Sequence, residues 1–374
     1  FAFLILLNSS SSSSETVCEL LVKKQGYTCE EHEAVTEDGY ILSLSRIPTG
    51  RGGAGGAKPP VLLQHGLMAD ASTWLLNSPV ESLGFILADN GFDVWMSNVR
   101  GTNFSKGHVS LKPDDQDYWN WSWDELVAYD LPAFFSYIHR ETGQKLHYVG
   151  HSLGTLMALG AFSKGEVLSM VRSAVLLCPV AYLGSMPSPI ARVASDIFMG
   201  EGLYWLGMKE FSPVGGLLNH LVNDICNVVN CDNIESSFTG STNCCLNTSK
   251  PPITLLQSTA TKNMVHLAQM IHNGEFAMFD YENIVDNVIH YGQPFPPRYE
   301  VSNIPEDLPI LISYGGEDLL ADVRDVQTLI GSLPNRKNKL ALQYIPNYAH
   351  LDFVFAVNAN VLVYKTVMDF FRKN

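Results

Sequence analysis

No stretch of this 374-residue chain is apolar enough over the roughly 20 residues a bilayer-spanning helix needs. Positive charge is scarce as well: Lys and Arg number 24 against 38 Asp and Glu, a formal net charge of −14. The basic residues are scattered, so the surface repels a phosphate backbone and nucleic acid is not an expected partner. His, Cys and carboxylates do not fall at metal-ligand spacings, and no glycine-rich loop of the phosphate-cradling kind occurs, so no cofactor is implied. Internal repeats are lacking too. What is present is a chain 46% hydrophobic, enough for a large core and one sizeable insertion. The acidic surplus reads first as solubility. A second reading is adaptation to an acidic compartment, where partial protonation eases self-repulsion.

Phe1 to Leu7 is apolar and is followed by Asn8 and six serines, Ser9 to Ser14. This fits the hydrophobic part of a secretory signal peptide whose first residues are missing, so residues 1–14 are expected to be that segment and a Ser-rich linker. Export gives meaning to the seven cysteines. Cys18 and Cys29 are expected to pair. Cys226, Cys231, Cys244 and Cys245 are expected to form two bridges, with a vicinal Cys244–Cys245 bond the least favourable of three pairings. Zinc is the rival use of four cysteines, which export disfavours. Cys178, inside the apolar run Val175 to Val180, is the expected leftover thiol, packed in a buried strand. Sequons at Asn103, Asn120 and Asn247 agree with passage through a glycosylating pathway, ending extracellularly or in a vacuolar or lysosome-like compartment.

Along the chain, His32–Thr36 and Tyr40–Ile47 flank Glu37-Asp38-Gly39 and predict a β-hairpin. Strands are expected at 61–64, 92–96, 146–150, 174–178, 309–313 and 341–345. Helices are expected at 78–90, 124–140, 153–163, 322–333 and 358–372, with Asp124 placed in a first turn to suit the macrodipole. Such alternation predicts an α/β fold with a mostly parallel sheet covered on both faces. The rhythm breaks between Leu183 and Leu308. Residues 15–182 and 309–374 are therefore expected to form one catalytic core, and 183–308 a mainly helical cap. Apolar Phe198, Leu203, Trp205 and Leu206 suit a lid over a lipid site, or simply the cap's own core.

Gly150-His151-Ser152-Leu153-Gly154 matches G-x-S-x-G between a predicted strand and a predicted helix. That turn is so tight that glycine is needed on both sides, and it lifts the serine hydroxyl clear of the sheet. A hydroxyl is a poor nucleophile without a base. The fold's chain order of Ser, acid, His selects Asp318 and His350, each just past a predicted strand. Glu317 adjoins Asp318, while Asp322 and Asp325 fall in or at the next helix, and Asp352 is too near His350 along the chain. The expected oxyanion donors are the N–H groups of Leu67 and Leu153. His65 reads as a turn-structuring residue. Arg100 reads as a structural cation that fixes loops by bidentate contacts.

At these residues the chain resembles the acid lipase family, which includes gastric and lysosomal lipases and plant relatives. The matching segments are GYTCEEHEAVTEDGYILSLSRIP from Gly26, LLQHGLMADASTW, NVRGTNFSKGH, the WNWSWDEL run, GHSLGT, YGGEDLLADVRDV and YAHLDFV. Cys244-Cys245 with Cys18 and Cys29 look most like the plant branch. The resemblance implies an α/β-hydrolase with a cap and lid, acting on triacylglycerols or steryl esters at an oil–water or membrane interface. It carries over Ser152, Asp318 and His350 as a triad, and Leu67 with Leu153 as oxyanion donors. The region from Asp224 to Asn247 matches least. Two other readings stand beside it: a short-chain carboxylesterase or acyltransferase with the same chemistry, and a hydrolase-fold protein that binds lipid without turnover.

Overall fold

Two extended segments, β1 (Glu30–Val35) and β2 (Tyr40–Ile47), pair antiparallel around the Asp38-Gly39 turn, where Gly39 takes φ +99°. The computed structural model in which they are seen describes residues 16–53, 55–200, 207–212, 238–240, 256–334 and 339–374. A disulfide between Cys18 and Cys29 ties the first helical turns to the start of β1.

The sheet continues with β3 (Pro60–Gln64), β4 (Asp93–Ser97), the short β5 (Gly107–His108), β6 (Leu146–His151), β7 (Val171–Leu177), β10 (Ile310–Gly315) and β11 (Leu340–Ile345). Its order is β1-β2-β4-β3-β6-β7-β10-β11, with β5 on β2. From β4 to β11 every neighbouring pair is parallel. Strands covered on both faces need apolar residues at successive positions, and β3, β4 and β6 are buried throughout. The helix Leu153–Ser163 is likewise buried at all its positions, which explains its uniformly small and apolar sequence.

Differences from expectation are local. The helix expected from Ser78 begins only at Leu83, because Ser78 closes turns onto Glu81 and Ser82, and Ser82 is extended. The strand expected to contain Cys178 ends at Leu177; Cys178 lies beyond it at φ +49° and is a buried free thiol. The helical run from Trp123 to Thr142 starts one residue early. Ser122 caps it, accepting from the Asp124 N–H, while Glu125 accepts from the Ser122 N–H. Asp124 lies in the first turn as expected, and it is turned inward. It is buried, accepting from the Phe279 N–H at 2.8 Å and the Tyr299 hydroxyl at 2.7 Å.

Between β7 and β10 the chain leaves the sheet. The helices Pro189–Gly200, Thr261–Asn273 and Ile284–Tyr291 lie here, with a two-residue pair, β8 (Glu210–Phe211) and β9 (Thr259–Ala260). Phe198, Phe211, Val265, Ala268 and Phe279 form a small core of their own, separate from the main one. Leu203, Trp205, Leu206, Cys226, Cys231, Cys244, Cys245 and Asn247 lie outside the described residues.

One buried cation ties two loops to a helix. Arg100 donates from Nη1 and Nη2 to both oxygens of Asp38 at 2.6 and 2.9 Å, and from Nε to Asp130 at 2.7 Å. Its guanidinium also lies 3.8 Å from the Tyr40 ring centroid. The structural role expected of Arg100 is thus visible as a fork between the hairpin turn, the end of β4 and the helical run.

Two predictions follow from these buried charges. Arg100→Met strands Asp130 without its partner, and should lower unfolding stability by about 3–5 kcal/mol in a denaturant titration. For Asp124, burial pushes the carboxyl from 3.8 up to about 6, against the lowering contacts with Tyr299 and Phe279. A carboxyl with a raised folded pKa contributes stability that is fully present below the unfolded pKa and is lost as pH rises through the folded one. Asp124→Asn, which cannot ionise, should therefore gain on the native chain between pH 4 and 7. The expected gain is on the order of 2–3 kcal/mol in unfolding free energies measured across that range.

Candidate active site

The C-terminal ends of parallel strands share one edge of the sheet, and every expected site residue lies just beyond such an end. Ser152 follows β6, Leu67 follows β3, Asp318 follows β10 and His350 follows β11.

Ser152 sits at φ +53°, ψ −117°, a conformation non-glycine residues rarely adopt. It is held there because the residues two positions before and two positions after it have no side chains. A Cβ on Gly150 would stand 2.7 Å from the Gly154 carbonyl oxygen, and one on Gly154 would stand 2.6 Å from the Gln64 carbonyl oxygen. The Ser152 N–H donates to the Leu177 carbonyl at 3.1 Å, which fixes the turn against β7. The hydroxyl is thereby presented at the N-terminus of the helix Leu153–Ser163.

Asp318 and His350 meet although 32 residues separate them. His350 Nδ1 lies 2.9 Å from Oδ2 and 3.1 Å from Oδ1 of Asp318, with both side chains buried. A carboxylate oxygen accepts, so Nδ1 is the donor in this contact and Nε2 is left with its lone pair. Nε2 is buried and has no hydrogen-bond partner among the described residues. Asp318 Oδ1 also accepts from the Leu320 and Ala321 N–H groups at 2.8 Å each, which locks the carboxylate's orientation.

The rival carboxylates are engaged elsewhere. Glu317 is exposed. Asp322 caps the helix Val323–Ser332, Asp325 accepts from the Ser185 N–H, and Asp352 accepts from the Ala349 N–H at 2.7 Å. His65 bonds the Gly66 carbonyl through Nδ1 at 2.8 Å and accepts from the Val99 N–H through Nε2 at 3.3 Å. Both its nitrogens therefore serve the turn after β3, as expected.

Ser152, His350, Leu67 and Leu153 all face one cavity of about 360 Å³. Apolar side chains dominate its walls, among them Met68, Leu183, Phe198, Met264, Ile271 and Phe355. Three of these come from the excursion's helices and one from the short helix Asp352–Phe355. That excursion also supplies Thr239, whose carbonyl accepts from the His350 N–H at 3.2 Å. Sequence reasoning found neither Thr239 nor the wall residues around Met264, since no motif marks them. Cys178, Asp318 and His350 gather donor atoms within 4.8 Å of one another, a spacing that could hold a metal ion. His350 Nδ1 is already committed to Asp318, and burial pushes the Cys178 thiol well up, whereas a metal needs the thiolate. The cluster fits hydrogen bonding better than coordination.

This fold and strand-end geometry have clear relatives. Residues 59–206 match the family described as alpha/beta hydrolase fold, and residues 18–78 match a partial alpha/beta-hydrolase lipase region. Triacylglycerol lipase 2 of Arabidopsis thaliana is 47% identical over 96% of this chain and 88% of its own. Human gastric triacylglycerol lipase is 39% identical over 92% and 87%. Human lysosomal acid lipase/cholesteryl ester hydrolase is 37% identical over 94% and 90%. Among solved structures, a soluble variant of monoglyceride lipase from Saccharomyces cerevisiae superposes with a TM-score of 0.56 over 92% of this chain and 94% of its own. Its 14% identity speaks for the fold alone. The chain belongs to the α/β-hydrolase family, in the branch of the gastric, lysosomal and plant acid lipases. Membership places it among the carboxylic ester hydrolases.

The close approach at the serine turn can be tested directly. Gly154→Ala drives a methyl into the Gln64 main chain, which has no side-chain rotation to relieve it. Overpacking of this kind costs about 1–3 kcal/mol, and a displaced reacting group can cost about 10²-fold in rate. Thermal unfolding and the rate at which an active-site phosphonate labels Ser152 should both fall.

Proposed function

We propose that the chain hydrolyses lipid esters through an acyl-enzyme on Ser152. The observation that carries this reading is the buried 2.9 Å contact between His350 Nδ1 and Asp318, at the same cavity as a serine in a strained turn. In the first step the Ser152 hydroxyl gives its proton to His350 Nε2 as its oxygen attacks the ester carbonyl. Asp318 holds the imidazole's tautomer and stabilises its charged form. The Leu67 and Leu153 N–H groups stabilise the resulting oxyanion, and losing one such donor costs about 10²–10³ in rate. The C–O bond to the alcohol then breaks, and His350 returns the proton to that leaving alcohol. Water, deprotonated by the same nitrogen, releases the carboxylic acid and restores Ser152.

Residues 15–182 and 309–374 serve as the catalytic core in this reading, and 183–308 as the cap. The cap's apolar wall residues over the cavity support substrates with long hydrocarbon chains, namely triacylglycerols or steryl esters presented at an oil–water or membrane surface. The Cys18–Cys29 bridge and the exposed positions of Asn103 and Asn120 support maturation in the secretory pathway. An extracellular, vacuolar or lysosome-like destination is the reading that goes with that route. No helix among the described residues is long and apolar enough to cross a membrane.

The test is hydrolysis of an emulsified long-chain triacylglycerol beside a soluble short-chain ester, at acidic and near-neutral pH, with Ser152→Ala as control. Long-chain turnover should rise once substrate forms an interface and fall by at least about 10⁴-fold in the control. Turnover of the soluble ester alone would reduce the reading to a short-chain esterase. Absence of both turnover and Ser152 labelling would leave lipid binding.

A further inference from the structure

The reading above accounts for the imidazole of His350, but the main chain of that residue is held just as firmly. Its N–H donates to the Thr239 carbonyl at 3.2 Å. Its carbonyl oxygen receives two side chains: Nε2 of His151 at 3.0 Å and the Cys178 thiol at 3.3 Å. Both donors are buried, and neither has a part in the acyl-transfer steps.

We propose that His151 and Cys178 are positioning residues that clamp the His350 carbonyl and so aim its imidazole at Ser152. The proposal rests on Ser152, Asp318 and His350 acting as the triad.

The contacts have a mechanical logic. Asp318 fixes the rotation of the His350 ring but does not fix where its Cα sits. His151 does that from the nucleophile's own turn, since it is the residue before Ser152. Base and nucleophile are thus registered to each other by a single hydrogen bond. Cys178 adds a second point from the end of β7, and its own N–H is anchored to the Ser313 carbonyl at 2.9 Å. At φ +49° Cys178 occupies a conformation costly for a side chain of its kind, which is where strained residues with a positioning duty are found.

The chemistry of the clamp is constrained as well. A carbonyl oxygen only accepts, so His151 must carry its proton on Nε2. Its ring lies 5.0 Å from the His350 ring, and burial, with the neighbouring His350 imidazole adding to it, holds its pKa down to about 3. A neutral His151 donates without setting a second positive charge beside the imidazolium that forms during each acyl transfer. The Cys178 thiol is kept protonated by burial and by the neighbouring Asp318 carboxylate, so it too remains a donor.

The experiment uses the full chain and a soluble ester, with kcat and KM measured per site titrated by a phosphonate at Ser152. Unfolding temperatures are recorded beside them. His151→Leu should lower kcat per titrated site by about 10–100-fold, with KM within about twofold. Cys178→Ala should lower it by about 3–10-fold, and Cys178→Ser, which keeps an O–H donor, should recover most of that loss. The double variant should lose less than the product of the two, because both donors act on one oxygen. If His151→Leu does not fold, the Cys178 pair decides. Wild-type kcat per site in Cys178→Ala and His151→Leu, or losses confined to KM or stability, would overturn the clamp while leaving the triad standing. A native chain that neither hydrolyses ester nor labels at Ser152 would remove the triad reading, and the clamp with it.

Discussion

The tight approach of the helix Leu153–Ser163 to β3 and β6 is the constraint on which the rest of this molecule turns. Glycine at 150 and 154 lets main chain meet main chain at distances that leave no room for a methyl group. The strain that results is concentrated at Ser152, whose backbone is forced into a conformation costing on the order of 1–3 kcal/mol. A looser turn would relieve that strain and let the hydroxyl sink toward the sheet. The parallel strands on either side supply the rest, because their C-terminal ends share an edge and bring residues distant in sequence to one side of the molecule.

Loops at such an edge need anchoring, and the anchors here are buried, hydrogen-bonded polar groups. Arg100 bridges the hairpin turn to the helical run, and Asp124 receives Phe279 and Tyr299 from the far side of the chain. Either charge alone in the core would be costly; paired or hydrogen-bonded, each fixes the position of a segment that hydrophobic contact would leave free to slide. Asp124 joins the core to the excursion between β7 and β10 through Phe279 and Tyr299.

The same excursion reaches the edge that carries Ser152 and His350 through Thr239, whose carbonyl accepts from the His350 N–H. With His151 and Cys178 on the carbonyl side and Asp318 on the ring, residue 350 is restrained at four points. In the proposed reaction His350 exchanges a proton with Ser152 and with a leaving alcohol, and such a base works best when it need not search for its orientation. His350 lines a largely apolar cavity, where hydrogen bonds and charges act with less screening than in water.

Much of this was legible in the residues alone. The apolar runs gave the inner strands to within a few residues, and G-x-S-x-G with a strand before and a helix after marked the serine turn. Chain order then selected Asp318 and His350 from among several neighbours, and the bidentate role of Arg100 was anticipated from its place at a strand end. Periodicity could not show that Asp124 turns inward, since a carboxylate in the first turn of a helix is also what an exposed helix carries. Nor could it show that the strand before Cys178 stops one residue early, because an apolar run does not reveal a change in backbone sign. Apart from Phe198, whose apolar character suited a lid, the excursion's wall residues carry no motif, so their place beside Ser152 was invisible. By itself the sequence determined the strand and helix periodicities, the glycines that permit the turn and the chemistry of the residues at strand ends. Only the tertiary structure decided which of those ends converge, which carboxylate reaches His350 and which donors hold its main chain, because such pairings depend on distances between segments that the chain order does not encode.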